Sequence, residues 1–225
     1  MSTGKLIVID GGDGSGKSTQ VDLLIERFQA EGRRVAKIDF PRYSQPSAWF
    51  VESYLNGKFG SLSDIGPYQA SVFYALDRFA AKKDIQEMLA DGSLVIANRY
   101  VSANMGHQGA KIKNKDERKI FFNWLYNFEF NILGIPKPEA TIILHVPATV
   151  AQNLVDKKGH RDYVGGVKRD LHESDLQHLQ MAERVFLEIA REFPNFYIVE
   201  CYEAGKLLTK AEVNDKLYNI FNKII

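Results

Sequence analysis

Residues 5–10 form a short β-branched apolar run, KLIVID, and residues 11–19, GGDGSGKST, follow without a break. Gly11, Gly16, Lys17 and Ser18 satisfy the pattern G-x-x-x-x-G-K-[ST]. Val21, Leu24, Ile25 and Phe28 then recur at helical spacing until Gly32 stops the pattern. A strand, a phosphate loop and a helix in that order open an α/β fold of the P-loop NTPase kind. The glycines carry no Cβ, so successive backbone N–H groups can turn inward around phosphates while the helix points its positive end at them. Gly11, Gly12, Asp13, Gly14, Ser15, Gly16, Lys17, Ser18 and Thr19 are therefore the candidate cradle for a nucleoside triphosphate. Lys17 adds a mobile charge for the β- and γ-phosphates, and the Ser18 hydroxyl is placed to ligate Mg²⁺.

The remainder of the chain repeats the alternation. Near-continuous apolar runs at 5–10, 35–39, 93–98, 141–146 and 196–200 predict strands covered on both faces. Helical patterns lie between them at about 17–31, 67–91, 116–132, 149–156, 174–192 and 210–224. Pro67 opens the second of these and Gly92 closes it, while Thr209 and Glu212 stand at capping-box spacing before the last. The expected architecture is a doubly wound, five-stranded parallel sheet flanked by helices in a single domain over 1–225. One segment departs from it: 156–172, DKKGHRDYVGGVKRDLH, is polar, glycine-containing and strongly basic, and reads as a phosphate-closing lid.

Composition narrows the function. A net charge of +1 over 225 residues gives no global attraction to nucleic acid or to a membrane. No apolar run approaches the roughly 18 residues of a membrane span, and the N-terminus has no secretory pattern, so a cytoplasmic location is expected. Cys201 is the only cysteine, which excludes an internal disulfide, and it reads as a core filler at a strand end. The five histidines show no metal-ligand spacing and read as surface or loop residues.

Three segments address a second substrate. FPRYSQP at 40–46 offers Arg42 beside Phe40 and Tyr43 in a proline-stiffened loop. In YALDR at 74–78, Tyr74 and Arg78 are four apart and share one helix face. NRY at 98–100, followed by Asn104, His107 and Gln108, leaves the end of strand three, where open α/β sheets bind ligands. Arginines for a phosphate, an aromatic face for a base and amides for base edges together describe a nucleotide acceptor site.

With these segments in place the chain resembles the thymidylate kinase family of nucleoside-monophosphate kinases over nearly its whole length. The resemblance rests on GGDGSGKSTQ at 11–20, FPRY at 40–43, YALDR at 74–78, NRYVSAN at 98–104 and PKPEATIILHV at 136–146. It implies Mg²⁺-dependent transfer of the ATP γ-phosphoryl group to dTMP, and a homodimer formed through helices that include part of 67–91. It also implies that Asp13 sits near the acceptor sugar and phosphate and reaches the metal through water. By the same likeness Tyr74 stacks on thymine, Arg78 hydrogen-bonds the base, Arg42 and Arg99 contact the acceptor phosphate, and Asn104 with Gln108 line the base pocket. Three positions depart from the family's habit: Asp10 stands for Glu, Asn98 for Asp, and His107 for Tyr or Phe. Gly14 also stands where some members carry an arginine, so charge on the transferring group is expected from the basic segment, with Arg161 the candidate. A kinase for another nucleotide or deoxynucleoside, or a nucleotide-dependent switch, is the alternative, although the guanine-reading N-K-x-D element is missing.

Overall fold

The computed structural model describes residues 4–61, 64–156 and 176–225. Strands β1 (Lys5–Gly11), β2 (Val35–Asp39), β3 (Leu94–Asn98), β4 (Ala140–His145) and β5 (Phe196–Glu200) form one sheet in the order β2-β3-β1-β4-β5. Every pairing is parallel. Sequence and structure agree closely on these five strands because their β-branched runs carry the signal directly. In the central strand Ile7 and Ile9 join the core on one face and Leu6 and Val8 the core on the other, which is why no polar residue alternates with them.

The helices are α1 (Lys17–Ala30), α2 (Trp49–Leu55), α3 (Pro67–Ala80), α4 (Lys82–Ala90), α5 (Val101–Gly109), α6 (Lys115–Tyr126), α7 (Ala148–Asp156), α8 (Leu176–Glu192) and α9 (Lys210–Ile224). α1 and α9 seal one face, where Phe28 packs on Tyr218 and Phe221. The expected capping box is present at the start of α9. α5, α6 and α8 enclose a further core in which Gly106 of α5 meets the Phe186 ring of α8 so closely that a Cβ has no room.

Several sequence expectations need correction. The helix predicted over 67–91 is two helices broken at Ala81, whose N–H is shared between the Asp77 and Arg78 carbonyls at 3.3 and 3.1 Å, a tightened last turn. α2 and α5 were not predicted. A two-stranded antiparallel ribbon, Tyr202–Glu203 with Lys206–Leu207, is also new, turning through Ala204 and Gly205, both at positive φ. The pattern predicted as a helix to 132 widens into a π-helical turn over Asn127–Ile132 that carries Glu129 into the interior. His107 and His178 are buried and stack on one another, and His145 is held between Glu183 and Glu200, so these three are not surface histidines. Cys201 is buried, as expected, and burial chiefly pushes its thiol up to about 12.

Candidate active site

All five strands end at the same edge of the sheet, and β1 lies between β3 and β4, so the loop after β1 is flanked by the ends of both neighbours. Gly11, at φ 136°, lies against the Leu144 carbonyl, where any Cβ would collide. Gly14 (φ 82°) abuts the Ala151 backbone of α7 in the same way, and Gly16 (φ 88°) is the left-handed residue from which α1 starts. α1 has no side-chain cap and no acidic residue in its first turn, so its positive end faces the loop uncompensated. Lys17 is buried with Nζ 3.1 and 2.8 Å from the Gly11 and Gly12 carbonyls, folded back over the loop it serves.

Arg99 is the centre of the second half. It follows the last residue of β3 at φ 65°, a left-handed conformation that costs a non-glycine residue about 1–3 kcal/mol. Its Nη2 donates to Asp13 Oδ1, Nη1 lies 3.2 Å from His107 Nε2, and Asp10 Oδ1 is 3.7 Å away. Burial works against its charge, but Asp13 and then Asp10 outweigh burial and hold the pKa above the usual arginine value, with the Tyr43 and Tyr74 phenols also near. Burial pushes His107 down to about 3, so the imidazole is neutral and Nε2 can accept from Arg99. Asp10, fully buried, accepts from Ser102 at 2.5 Å and from the Gly11 N–H at 2.8 Å; burial raises its pKa against the opposing pull of Arg99 and Lys17.

The base-side residues come from α3 and α5. Asn104 donates to the Ser71 carbonyl at 3.1 Å, and both residues are buried. Ser71 Oγ and Gln108 Oε1 are buried and without a hydrogen-bond partner among the described residues. Tyr74, one helical turn from Ser71, stands edge-on to Tyr54 at 6.4 Å. Ser71 was not singled out from sequence, though its three-residue offset from Tyr74 on one helix face was the available signal.

Two expected base-site residues have other occupations. Arg78 is 2 % exposed and clamps Glu129 with two hydrogen bonds, Nε–Oε2 at 2.6 Å and Nη2–Oε1 at 2.7 Å, while Nη1 donates to the Tyr100 carbonyl. These three bonds use three of the five guanidinium N–H donors and tie the side chain to the interior. Phe40 is buried against Tyr100 with ring centroids 5.7 Å apart and belongs to the core. Arg42 is partly exposed, steadied by Asp77 Oδ1 at 3.1 Å from Nε and by Ser47. Arg161 and the rest of the basic segment from 157 lie outside the described residues.

At the phosphate end, Asn98 Nδ2 donates to Ser18 Oγ at 3.2 Å and to Asp39 Oδ1 at 2.8 Å. Asn98 Oδ1 is buried and accepts no hydrogen bond among the described residues. Asp39 was not singled out from sequence, although an acidic residue ending the run VAKID was visible. No group of three His, Cys, Asp or Glu side chains among the described residues could hold a metal. A few hard oxygens beside a triphosphate cradle instead suit Mg²⁺, which keeps waters and takes further ligands from phosphates. Asp13, expected to reach that ion through water, is turned to Arg99, with Oδ2 4.0 Å from His107 Nε2.

Sheet, loop and helix start define a P-loop fold of the nucleotide-phosphotransferase class. A family model described as thymidylate kinase matches residues 9–211. The thymidylate kinase of Mycobacterium tuberculosis is 35% identical over 188 residues, 83% of this chain and 86% of its own. The human thymidylate kinase is 28% identical over 163 residues, 72% of this chain and 70% of its own. The solved thymidylate kinase of Candida albicans superimposes with a TM-score of 0.74 at 25% identity, covering 98% of this chain and 92% of its own. The chain belongs to the thymidylate kinase family, whose reaction is phosphorylation of dTMP by ATP. The switch reading is not favoured. No helix among the described residues is long and apolar enough to cross a membrane.

Proposed function

We propose that this chain moves the ATP γ-phosphoryl group to dTMP at the junction of the P-loop and Arg99, with the residue roles that follow. The supporting observation is the junction of the two half-sites: Asp13, a P-loop residue, is bound directly by Arg99, the residue expected to receive the acceptor phosphate. Such transfer needs positioning and charge neutralisation more than covalent chemistry. Gly11 to Thr19 bind the triphosphate, and Lys17 leaves the loop carbonyls for the β- and γ-oxygens. Arg99 and Arg42 receive the acceptor phosphate, with Asp13 and His107 orienting Arg99. Tyr74 stacks on thymine, and Asn104, Gln108 and Ser71 meet its polar edge. Ser18 would hold Mg²⁺, which would supply charge neutralisation on the phosphates, and Asp13 is assigned to Arg99 instead. Arg161 remains the proposed source of charge over the transferring group.

A homodimer fits the exposed apolar side chains Leu76 and Phe79 of α3 and Trp49 and Phe50 of α2. A cytoplasmic location fits the lone buried thiol and the co-substrate. An ADP-release assay with ATP, Mg²⁺ and each of dTMP, dUMP, UMP, CMP, AMP and GMP tests the reading. The largest kcat/KM is expected for dTMP. Preference for another acceptor, or ATP hydrolysis with none, would refute it.

A further inference from the structure

We infer that the carboxylate at the metal end of this site is Asp39, at the tip of β2, and that Asn98 is the neutral bracket holding it beside Ser18. The inference deepens the proposed phosphotransfer reading and rests on it for the metal. At position 98, where the resemblance leads to the expectation of a carboxylate, the side chain is a neutral amide. The sheet register supplies a carboxylate: Asp39 and Asn98 are direct partners across β2 and β3, each the last residue of its strand. Register partners project to the same face, and here the two side chains meet at 2.8 Å.

The hydrogen bonding fixes which way the amide points. An ionised carboxylate only accepts, so Asn98 must turn Nδ2 toward Asp39, and the same nitrogen reaches Ser18 Oγ at 3.2 Å. That orientation leaves Oδ1 without a hydrogen-bond partner among the described residues, on a side chain only 8 % exposed. An unmet buried acceptor is unfavourable, and a water on a hydrated divalent cation would satisfy it. Asp39 is itself open, with 45% side-chain exposure, and its Oδ2 lies 3.1 Å from Lys37 Nζ. Lys37 also holds Asp22 Oδ1 at 2.8 Å, so it keeps a partner if Asp39 turns toward a cation. The Ser18 hydroxyl and one negative charge are thus bridged by a single amide nitrogen, with an exchangeable lysine beside the carboxylate, where Ser18 is expected to meet the ion. Asp39 acts by ordering the metal and its waters, as a positioning residue.

The test reads metal binding without turnover. Mn²⁺ is titrated into the protein with a non-hydrolysable ATP analogue, and free Mn²⁺ is followed by electron paramagnetic resonance. Asp39→Asn is expected to weaken Mn²⁺ binding at least about tenfold, the usual scale for a residue that orients metal ligands. Glu26→Gln, which removes an exposed charge one turn beyond Asp22 on α1, should leave it unchanged. The exchange Asp39→Asn/Asn98→Asp should recover most of the loss by putting the carboxylate back on β3. Unchanged binding in Asp39→Asn, equal losses in Asp39→Asn and Glu26→Gln, or no recovery in the exchanged variant each overturn the inference. Should Asp39→Asn fail to fold, Asp39→Ser is titrated in the same way and judged by the same losses. Because no acceptor is present, failure of the dTMP assignment cannot be mistaken for failure of this one.

Discussion

Glu129→Gln tests the most heavily buried ion pair among the described residues. Glu129 is fully buried and Arg78 is 2 % exposed, and the two bonds between them are 2.6 and 2.7 Å long. The pair ties α3 to the π-helical turn, and through the Tyr100 carbonyl it also holds the start of α5. Glutamine keeps the shape and one acceptor but removes the charge, leaving a guanidinium in the interior with no counter-ion. Removing one partner of a buried pair costs about 3–5 kcal/mol, and the retained acceptor puts glutamine near the lower end. In a chain of this size each kcal/mol moves Tm by about 2–4 °C, so a fall of roughly 6–12 °C is expected in a melt followed by far-UV circular dichroism. The double variant Arg78→Met/Glu129→Leu replaces both charges by apolar groups and should melt near the unmodified protein. If Arg78 acts only through Glu129 and the Tyr100 carbonyl, the double variant should also bind dTMP with little loss. A shift under about 2 °C in Glu129→Gln would refute the energetic argument. A stable double variant that loses dTMP binding would return Arg78 to the base site.

Tyr74→Leu should weaken dTMP binding by roughly 1–3 kcal/mol, the scale of base–aromatic stacking, and leave ATP affinity unchanged in separate calorimetric titrations. Loss confined to ATP would move Tyr74 out of the acceptor pocket. Gly14→Arg, which imitates relatives with a P-loop arginine, should lower both Tm and ATP affinity, because φ is 82° and the Ala151 carbonyl occupies the Cβ position; a faster enzyme would contradict this. Burial works to lower the His145 pKa, but the hydrogen bonds its ring nitrogens donate to Glu183 and Glu200 outweigh burial and raise it above its ordinary value. Its stabilisation is therefore complete below the unfolded pKa of about 6.5 and lost as pH rises through the higher folded value. The Tm difference between the protein and His145→Gln should accordingly be largest near pH 6 and shrink at alkaline pH, and a difference flat with pH would refute the assignment.

The strands and the P-loop were legible because their signals are local: a β-branched run, or glycines at fixed offsets from Lys17. What the sequence concealed depends on contacts between distant segments. Tyr74 and Arg78 do share a face, but spacing could not reveal that Arg78 meets a carboxylate 51 residues onward. α5, VSANMGHQG, has two glycines and little helical pattern, and it is helical because Gly106 and Gly109 let α8 and the Phe122 ring approach. The polar neighbours of His107 disguised its burial. Asp39 looked like an ordinary strand end until register placed it against Asn98.

The geometry of Arg99 explains why a neutral residue suits position 107. The left-handed backbone at Arg99 turns the chain sharply between β3 and α5, while its N–H still bonds the Ile9 carbonyl at 2.9 Å. That turn swings the guanidinium back over β1, where Asp10 and Asp13 offset the backbone strain. A charged imidazole 3.2 Å from the guanidinium would repel it by about 5 kcal/mol at an effective dielectric constant near 20. Burial is the chief cause that keeps His107 neutral against the opposing pull of Asp13, and Arg99 adds to burial. His107 thus supplies an acceptor for one arginine nitrogen at no cost in positive charge. An incoming phosphate can then displace Asp13 from Arg99 without freeing the side chain, because Asp10 and His107 still hold it.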